Sequence, residues 1–274
     1  MSVDPKKPRK ILVVHGVQAG KDNDINSHDG IKKLILSRLT PEQLPMVKFE
    51  TEMYRYENIN DNAQRSLKKV LGIFLVDLLG KIPIGSLAGK LVENGVDVVG
   101  DVIINIQEGS TATIIRDGLI NRIEKIYEEG NPLYIVAHSL GTIYAFDAVN
   151  KLIANKKYFD RNSRTTWPVQ ALVTLGSPIG LSMFNRNTVK KFQPGSRYFR
   201  WVNYWARTDP VVSGNFYGKP VEKYQIAEKF STNPNSGWVI QDRVIDSKKA
   251  WLWAHISYWN DSGIGDDLVS LITS

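Results

Sequence analysis

The stretch LYIVAHSLGT, residues 133–142, runs an unbroken apolar segment, Leu133 to Ala137, straight into His138-Ser139-Leu140-Gly141. An apolar run without polar alternation reads as a strand covered on both faces, which is the situation inside a parallel sheet. The residues beyond it, Ile143 to Leu152, read as a helix. Ser139 therefore stands on a sharp strand-to-helix turn that holds its hydroxyl away from the backbone. Ala137 and Gly141, two places to either side, are small enough for neighbouring strand and helix to pass close by. The five residues fill the pattern G-x-S-x-G except for alanine in first place, where one methyl group is added.

Working outward, Ile11 to Val14 is a second buried run, ending in His15-Gly16. Ile31, Leu34, Ile35 and Leu39 share one face of a helix over 31–39, with Pro41 past its end. Val47 to Glu57 alternates as a strand does. Ala63 to Ile106 breaks the rhythm: it is long and rich in Leu, Ile, Val and Gly, and it reads as a mostly helical insertion. Ile115, Leu119, Ile123 and Ile126 then form a helical stripe, and Val169 to Leu175 is a strand ending in Gly176-Ser177-Pro178. Tyr198 to Arg207 and Trp238 to Ile245 read as further strands, and Leu268 to Ile272 as a short closing helix. Strands alternating with helices imply an α/β chain with a mostly parallel, doubly wound sheet. The expectation is one domain over 1–274, with a helical cap or lid inserted at about 63–106.

Composition narrows the function. With 274 residues, 42% of them apolar, the chain can bury a large core. It has no cysteine, which removes disulfides, thiolate chemistry and cysteine-based zinc sites together. The first ten residues, MSVDPKKPRK, lack an apolar segment of the kind a secretory signal needs, so a cytoplasmic protein is expected. The net charge of +7 suggests a mild attraction to anionic surfaces. The basic residues are scattered as pairs such as Lys32-Lys33 and Lys248-Lys249, without interleaved aromatics, so nucleic acid is not an expected partner.

A serine hydroxyl attacks only when a base takes its proton, and the base needs a carboxylate to orient it. Four histidines are available. His138 adjoins the serine and is read as pointing elsewhere, a packing residue; His15 ends the first strand and His28 falls in a polar loop. Enzymes built on this turn carry serine, acid and histidine in that chain order, which selects His255 in WLWAHISYWND. For the acid, Asp209 ends the strand RWVNYWARTD before Pro210, while Asp242 and Asp246 are rivals on or just after the later strand. The strand-terminal place between serine and histidine favours Asp209. An oxyanion needs two backbone donors: Leu140 N–H after the serine, and Val17 N–H from the loop after the first strand, where Gly16 lets the backbone come close.

ILVVHGVQ, IVAHSLGT, LVTLGSPIG, WVNYWARTDPV and HISYW, in this order and spacing, resemble the lipase-like branch of the α/β-hydrolase superfamily, which includes bacterial lipases and the GPI inositol-deacylase-like hydrolases. The likeness spans nearly the whole chain outside roughly residues 60–108. It implies a serine hydrolase of carboxylic esters with Ser139 as nucleophile, Asp209 as acid and His255 as base. Ala137 is the departure from the pattern, one that some bacterial lipases share. No metal or organic cofactor is implied, and the expected partner is an ester or lipid-like small molecule. A thioesterase or amidase would use the same three residues. A non-catalytic lipid-binding or interaction module would have no need of all three.

Three readings stay open for residues 63–106: a lid over the site, an interfacial helix on an anionic membrane surface, or a hairpin extending the core. Asp77, Lys81, Pro83 and Lys90 interrupt the segment, and its uncharged runs are too short to cross a bilayer. Several of the seven tryptophans flank Asp209 and His255, where they would line an acyl pocket or, more commonly, fill the core.

Overall fold

The computed structural model describes residues 3–16, 24–55, 110–155, 158–159, 167–181, 188–192, 198–213, 226–230, 234–247, 252–255 and 257–273. In chain order these form β1 (Arg9–Val14), α1 (Asp24–Arg38), β2 (Phe49–Tyr54), α2 (Ser110–Glu128), β3 (Leu133–His138), α3 (Gly141–Ala154), β4 (Val169–Leu175) and β5 (Phe199–Ala206). The short helices α4 (Pro210–Ser213) and α5 (Ile226–Phe230), β6 (Trp238–Ile245), the single turn α6 (Leu252–His255) and α7 (Ser262–Thr273) complete them. The insertion expected at about 63–106 lies outside the described residues.

All six strands run parallel, in the spatial order β2-β1-β3-β4-β5-β6. The chain leaves β1 toward one edge to make β2, then returns to β1's other side to make β3. That reversal opens a crevice beyond the carboxyl ends of β1 and β3, the place where open parallel sheets put their chemistry.

Alternate residues of each strand face opposite layers. Leu12, Val14, Leu133, Ile135 and Ala137 pack with α2 and α3, through Ile115, Leu119, Ile123, Ile143 and Val149. Ile11, Val13, Tyr134 and Val136 pack with α1 and α7, through Ile31, Ile35, Ile264 and Leu268. Because both faces are covered, the central strands are apolar at most positions, which is why Ile11 to Val14 and Leu133 to Ala137 read as unbroken runs; the buried exceptions Thr174 and Asn203 bond to each other. Each fully buried Val, Leu or Ile contributes roughly 1.5–3 kcal/mol over its exposed state, so these strands carry much of the fold's stability.

The differences from expectation fall at element ends. Helix α1 begins at Asp24 rather than Ile31, and it takes His28 out of a loop and into the helix. Its first turns, DINSHDG, carry a single apolar residue, so no stripe marked them. Strand β2 is shorter than 47–57. Helix α7 starts six residues before Leu268, because the Asp261 carboxylate accepts the Ile264 N–H at 3.1 Å and caps it. Among the described residues no helix is long and apolar enough to cross a membrane.

The tryptophans on β5 and β6 fill the interior. Trp201 is fully buried against Phe146 and Phe230, with ring centroids 5.4 and 5.5 Å apart, and Trp238 closes on Phe199 at 4.7 Å. Trp201 and Trp238 belong to the core between the sheet and α2 and α3.

Candidate active site

Ser139 is half-buried and adopts φ 55°, the left-handed region that side-chain-bearing residues rarely occupy. Its N–H still continues the sheet ladder, donating to the Leu175 carbonyl at 3.0 Å, and one residue later the chain turns into α3. The space around this turn is very small. A Cβ at Gly141 would lie 2.4 Å from the His15 carbonyl oxygen and 2.6 Å from that of Val14, so the start of α3 meets the end of β1 backbone to backbone. A Cβ at Gly16 would lie 2.5 Å from Ser139 Cβ, 2.9 Å from its Oγ and 3.1 Å from the Leu140 nitrogen. The end of β1 therefore flanks both the serine oxygen and the Leu140 N–H, at the positive end of the α3 dipole. Val17, expected as the second oxyanion donor, lies outside the described residues.

Asp209 and His255 come together. Both are buried, and His255 Nδ1 lies 2.9 Å from Asp209 Oδ2. Asp209 sits just after β5, where its Oδ1 accepts the Val211 N–H at 2.9 Å, while the Tyr258 hydroxyl donates to Oδ2 at 2.6 Å. The rival acids stand apart from this pair. Asp246 is exposed. Asp242 belongs to a polar row across β4, β5 and β6: Thr174 Oγ1 donates to Asn203 Oδ1, and Asn203 Nδ2 to Asp242 Oδ1, both at 2.8 Å. The other Asp242 oxygen accepts the Ala227 N–H at 2.8 Å, and burial pushes this carboxyl above the usual carboxylate range.

Gly176 makes room for the acid and the imidazole. It follows β4 at φ 57°, and a Cβ there would lie 2.8 Å from Tyr258 Cε2, 2.9 Å from Asp209 Oδ2 and 3.0 Å from His255 Nδ1. The next residue, Ser177, is fully buried and shares a hydrogen bond of 2.7 Å with Thr142, whose hydroxyl also lies 2.6 Å from the Ser139 carbonyl. The turns after β3 and β4 are thus tied side chain to side chain.

His138 is a packing residue, as the sequence suggested, but the ring it packs on is that of the candidate base. Its ring lies on that of His255, with centroids 4.5 Å apart, and its Nε2 is 2.8 Å from the His255 carbonyl oxygen. Burial first, and the neighbouring His255 ring second, hold His138 well below the ordinary histidine range, so it is neutral and its Nε2–H donates to that carbonyl. The partnerships of His138 and Tyr258 had no local sequence signal, since both come from bringing His255 and Tyr258 back over the end of β3. His28 lies on α1. His15 is buried at the end of β1.

A doubly wound, all-parallel sheet of this order, with a serine on a left-handed strand-to-helix turn beyond its reversal point, is the α/β-hydrolase fold. No protein-family model and no curated protein matches this sequence. Among solved structures the chain is similar to a cutinase-like protein from Cryptococcus sp., at 12% identity and TM-score 0.43 over 99% of this chain and 98% of that one. It is also similar to an α/β serine hydrolase homologue from Coxiella burnetii, at 9% identity and TM-score 0.39 over 97% and 84%. An acetyl xylan esterase shows a comparable likeness, at 12% identity and TM-score 0.40 over 97% and 98%.

Proposed function

We propose that this protein is a serine hydrolase that cleaves carboxylic esters through an acyl-enzyme. The observation that carries the reading is the His255–Asp209 hydrogen bond at 2.9 Å, in a chain that also holds Ser139 on a left-handed turn. With Nδ1 committed to Asp209, the imidazole has Nε2 left to accept the Ser139 proton. Ser139 Oγ attacks the ester carbonyl, and the carbonyl oxygen becomes an oxyanion received by the Leu140 N–H and, in this proposal, by Val17 N–H. The imidazolium returns its proton to the departing alkoxide, the C–O bond breaks, and the acyl group stays on Ser139. Water then loses a proton to His255 and attacks the acyl carbon. Collapse releases the carboxylic acid and restores the serine. Asp209 keeps its hydrogen bond to Nδ1 and stabilises the imidazolium between the two half-reactions.

The finer part of the proposal is a lipase- or esterase-like preference for a hydrophobic acyl group, and it rests on the resemblance of the five motifs quoted above. A fluorophosphonate probe tests the chemistry directly. The expected result is one adduct, mapped to Ser139, with turnover of a short p-nitrophenyl ester lost in step with labelling. An unlabelled Ser139 in folded, ester-inactive protein would overturn the reading, and a comparison of short- and long-chain esters decides the acyl preference.

A further inference from the structure

We propose that Tyr258 is a positioning residue of the site, acting through Asp209 to fix the imidazole of His255; the inference deepens the proposed function and rests on it. Tyr258 is fully buried, and its hydroxyl makes two bonds of defined direction. The oxygen accepts the Ala206 N–H at 2.9 Å, and the proton goes to Asp209 Oδ2 at 2.6 Å, since an ionised carboxylate has none to give. Ala206 is the last residue of β5, so the tyrosine ties Asp209 to the sheet itself.

Oδ2 is also the oxygen that holds His255 Nδ1. A fully buried carboxylate needs donors to stay ionised, and Asp209 has three: the imidazole, the tyrosine and the Val211 N–H on Oδ1. The two protein anchors fix the plane of the carboxylate and hence the direction in which its remaining lone pair meets Nδ1–H. Without the tyrosine the carboxylate would be anchored through Oδ1 alone and could swing about its χ2 torsion, taking the imidazole with it. Gly176 bears on the same three groups, because any side chain there would strike Tyr258, Asp209 and His255 together. Since Ser257 to Asn260 follows His255 after one residue, the base and the residue that orients its acid arrive on one short piece of chain.

Proton NMR of the isotope-labelled wild-type protein provides the first test. Two exchange-protected protons, the Nδ1–H of His255 and the hydroxyl of Tyr258, should be seen with a nuclear Overhauser effect between them; absence of that contact would overturn the proposal without any variant. In Tyr258→Phe, which keeps the ring, the His255 proton should shift and broaden. Fluorophosphonate labelling of Ser139 should slow by about tenfold or more, and kcat for a short ester should fall with little change in KM. In an Asp209→Asn background the same substitution should add almost nothing, because it acts through the carboxylate. An unchanged His255 proton and labelling rate in folded Tyr258→Phe, or equal losses in both backgrounds, would refute it. If wild-type Ser139 resists the probe and no ester is cleaved, the proposed function fails, and the NMR contact still decides whether Tyr258 orients the pair.

Discussion

Two turns lie side by side at the carboxyl edge of the sheet and have nearly the same backbone. His138 pairs with Leu175 across β3 and β4, so Ser139 and Gly176 are the next residues on adjacent strands, with φ of 55° and 57°. Each extends the ladder by one bond, Ser139 N–H to the Leu175 carbonyl and Gly176 N–H to the Tyr204 carbonyl, both at 3.0 Å. At one turn the strained conformation holds a side chain out over the crevice. At the other, the same conformation comes with no side chain, and the vacated volume is filled by Asp209, His255 and Tyr258. Left-handed backbone is thus used once to present a group and once to admit one.

The largest effect expected from disturbing this pair is at the presenting turn. Ser139→Ala should reduce ester turnover by about a millionfold in a protein that stays folded, as measured by steady-state kinetics alongside circular dichroism. Next comes the acid admitted by the other turn. Asp209→Asn should cost about 10⁴ in kcat, while Asp242→Asn should leave kcat near wild type, because Asp242 bonds to Asn203 and to the start of α5. A severe defect in Asp242→Asn with a mild one in Asp209→Asn would reassign the acid.

Gly176→Ala tests the admitting turn itself. A methyl group there must displace Asp209 and His255 by several tenths of an ångström and sits at a positive φ, so kcat should fall about a hundredfold and the melting temperature should drop as well. The smallest effect is the most diagnostic. Ser139→Gly should be as inactive as Ser139→Ala but more stable than wild type, because glycine removes a left-handed penalty of about 1 kcal/mol; calorimetry should show the melting temperature rising by about 2–4 °C. A fall in melting temperature would mean that Ser139 is not strained in solution.

The sequence made the central sheet legible because a strand buried on both faces is apolar at nearly every position, as Ile11 to Val14 and Leu133 to Ala137 are; in Val169 to Leu175 the polar residues are Gln170, half-buried, and Thr174, buried but bonded to Asn203. It was less informative where burial is one-sided or held by caps: the polar opening of α1 and the start of α7 carry no continuous stripe. In the site, the serine turn and the strand-end aspartate have local signatures. The roles of Tyr258, His138 and Gly176 do not, since a tyrosine among tryptophans reads as core and a glycine before Ser-Pro reads as a turn. Their significance exists only once His255 and Tyr258 are laid against the ends of β3, β4 and β5.

The contact between Gly141 and the last carbonyls of β1 has a mechanical consequence. Where two backbones touch with no side chain between them, there is nothing soft to compress, so a displacement of the first strand is passed undamped to the helix that starts beside the serine. The floor of the crevice behaves as a single stiff plate. Under the proposed function, mutating residues beneath the serine to broaden the site would therefore shift the Ser139 oxygen as much as the walls, and tolerance to larger substrates would have to be engineered from the opposite rim.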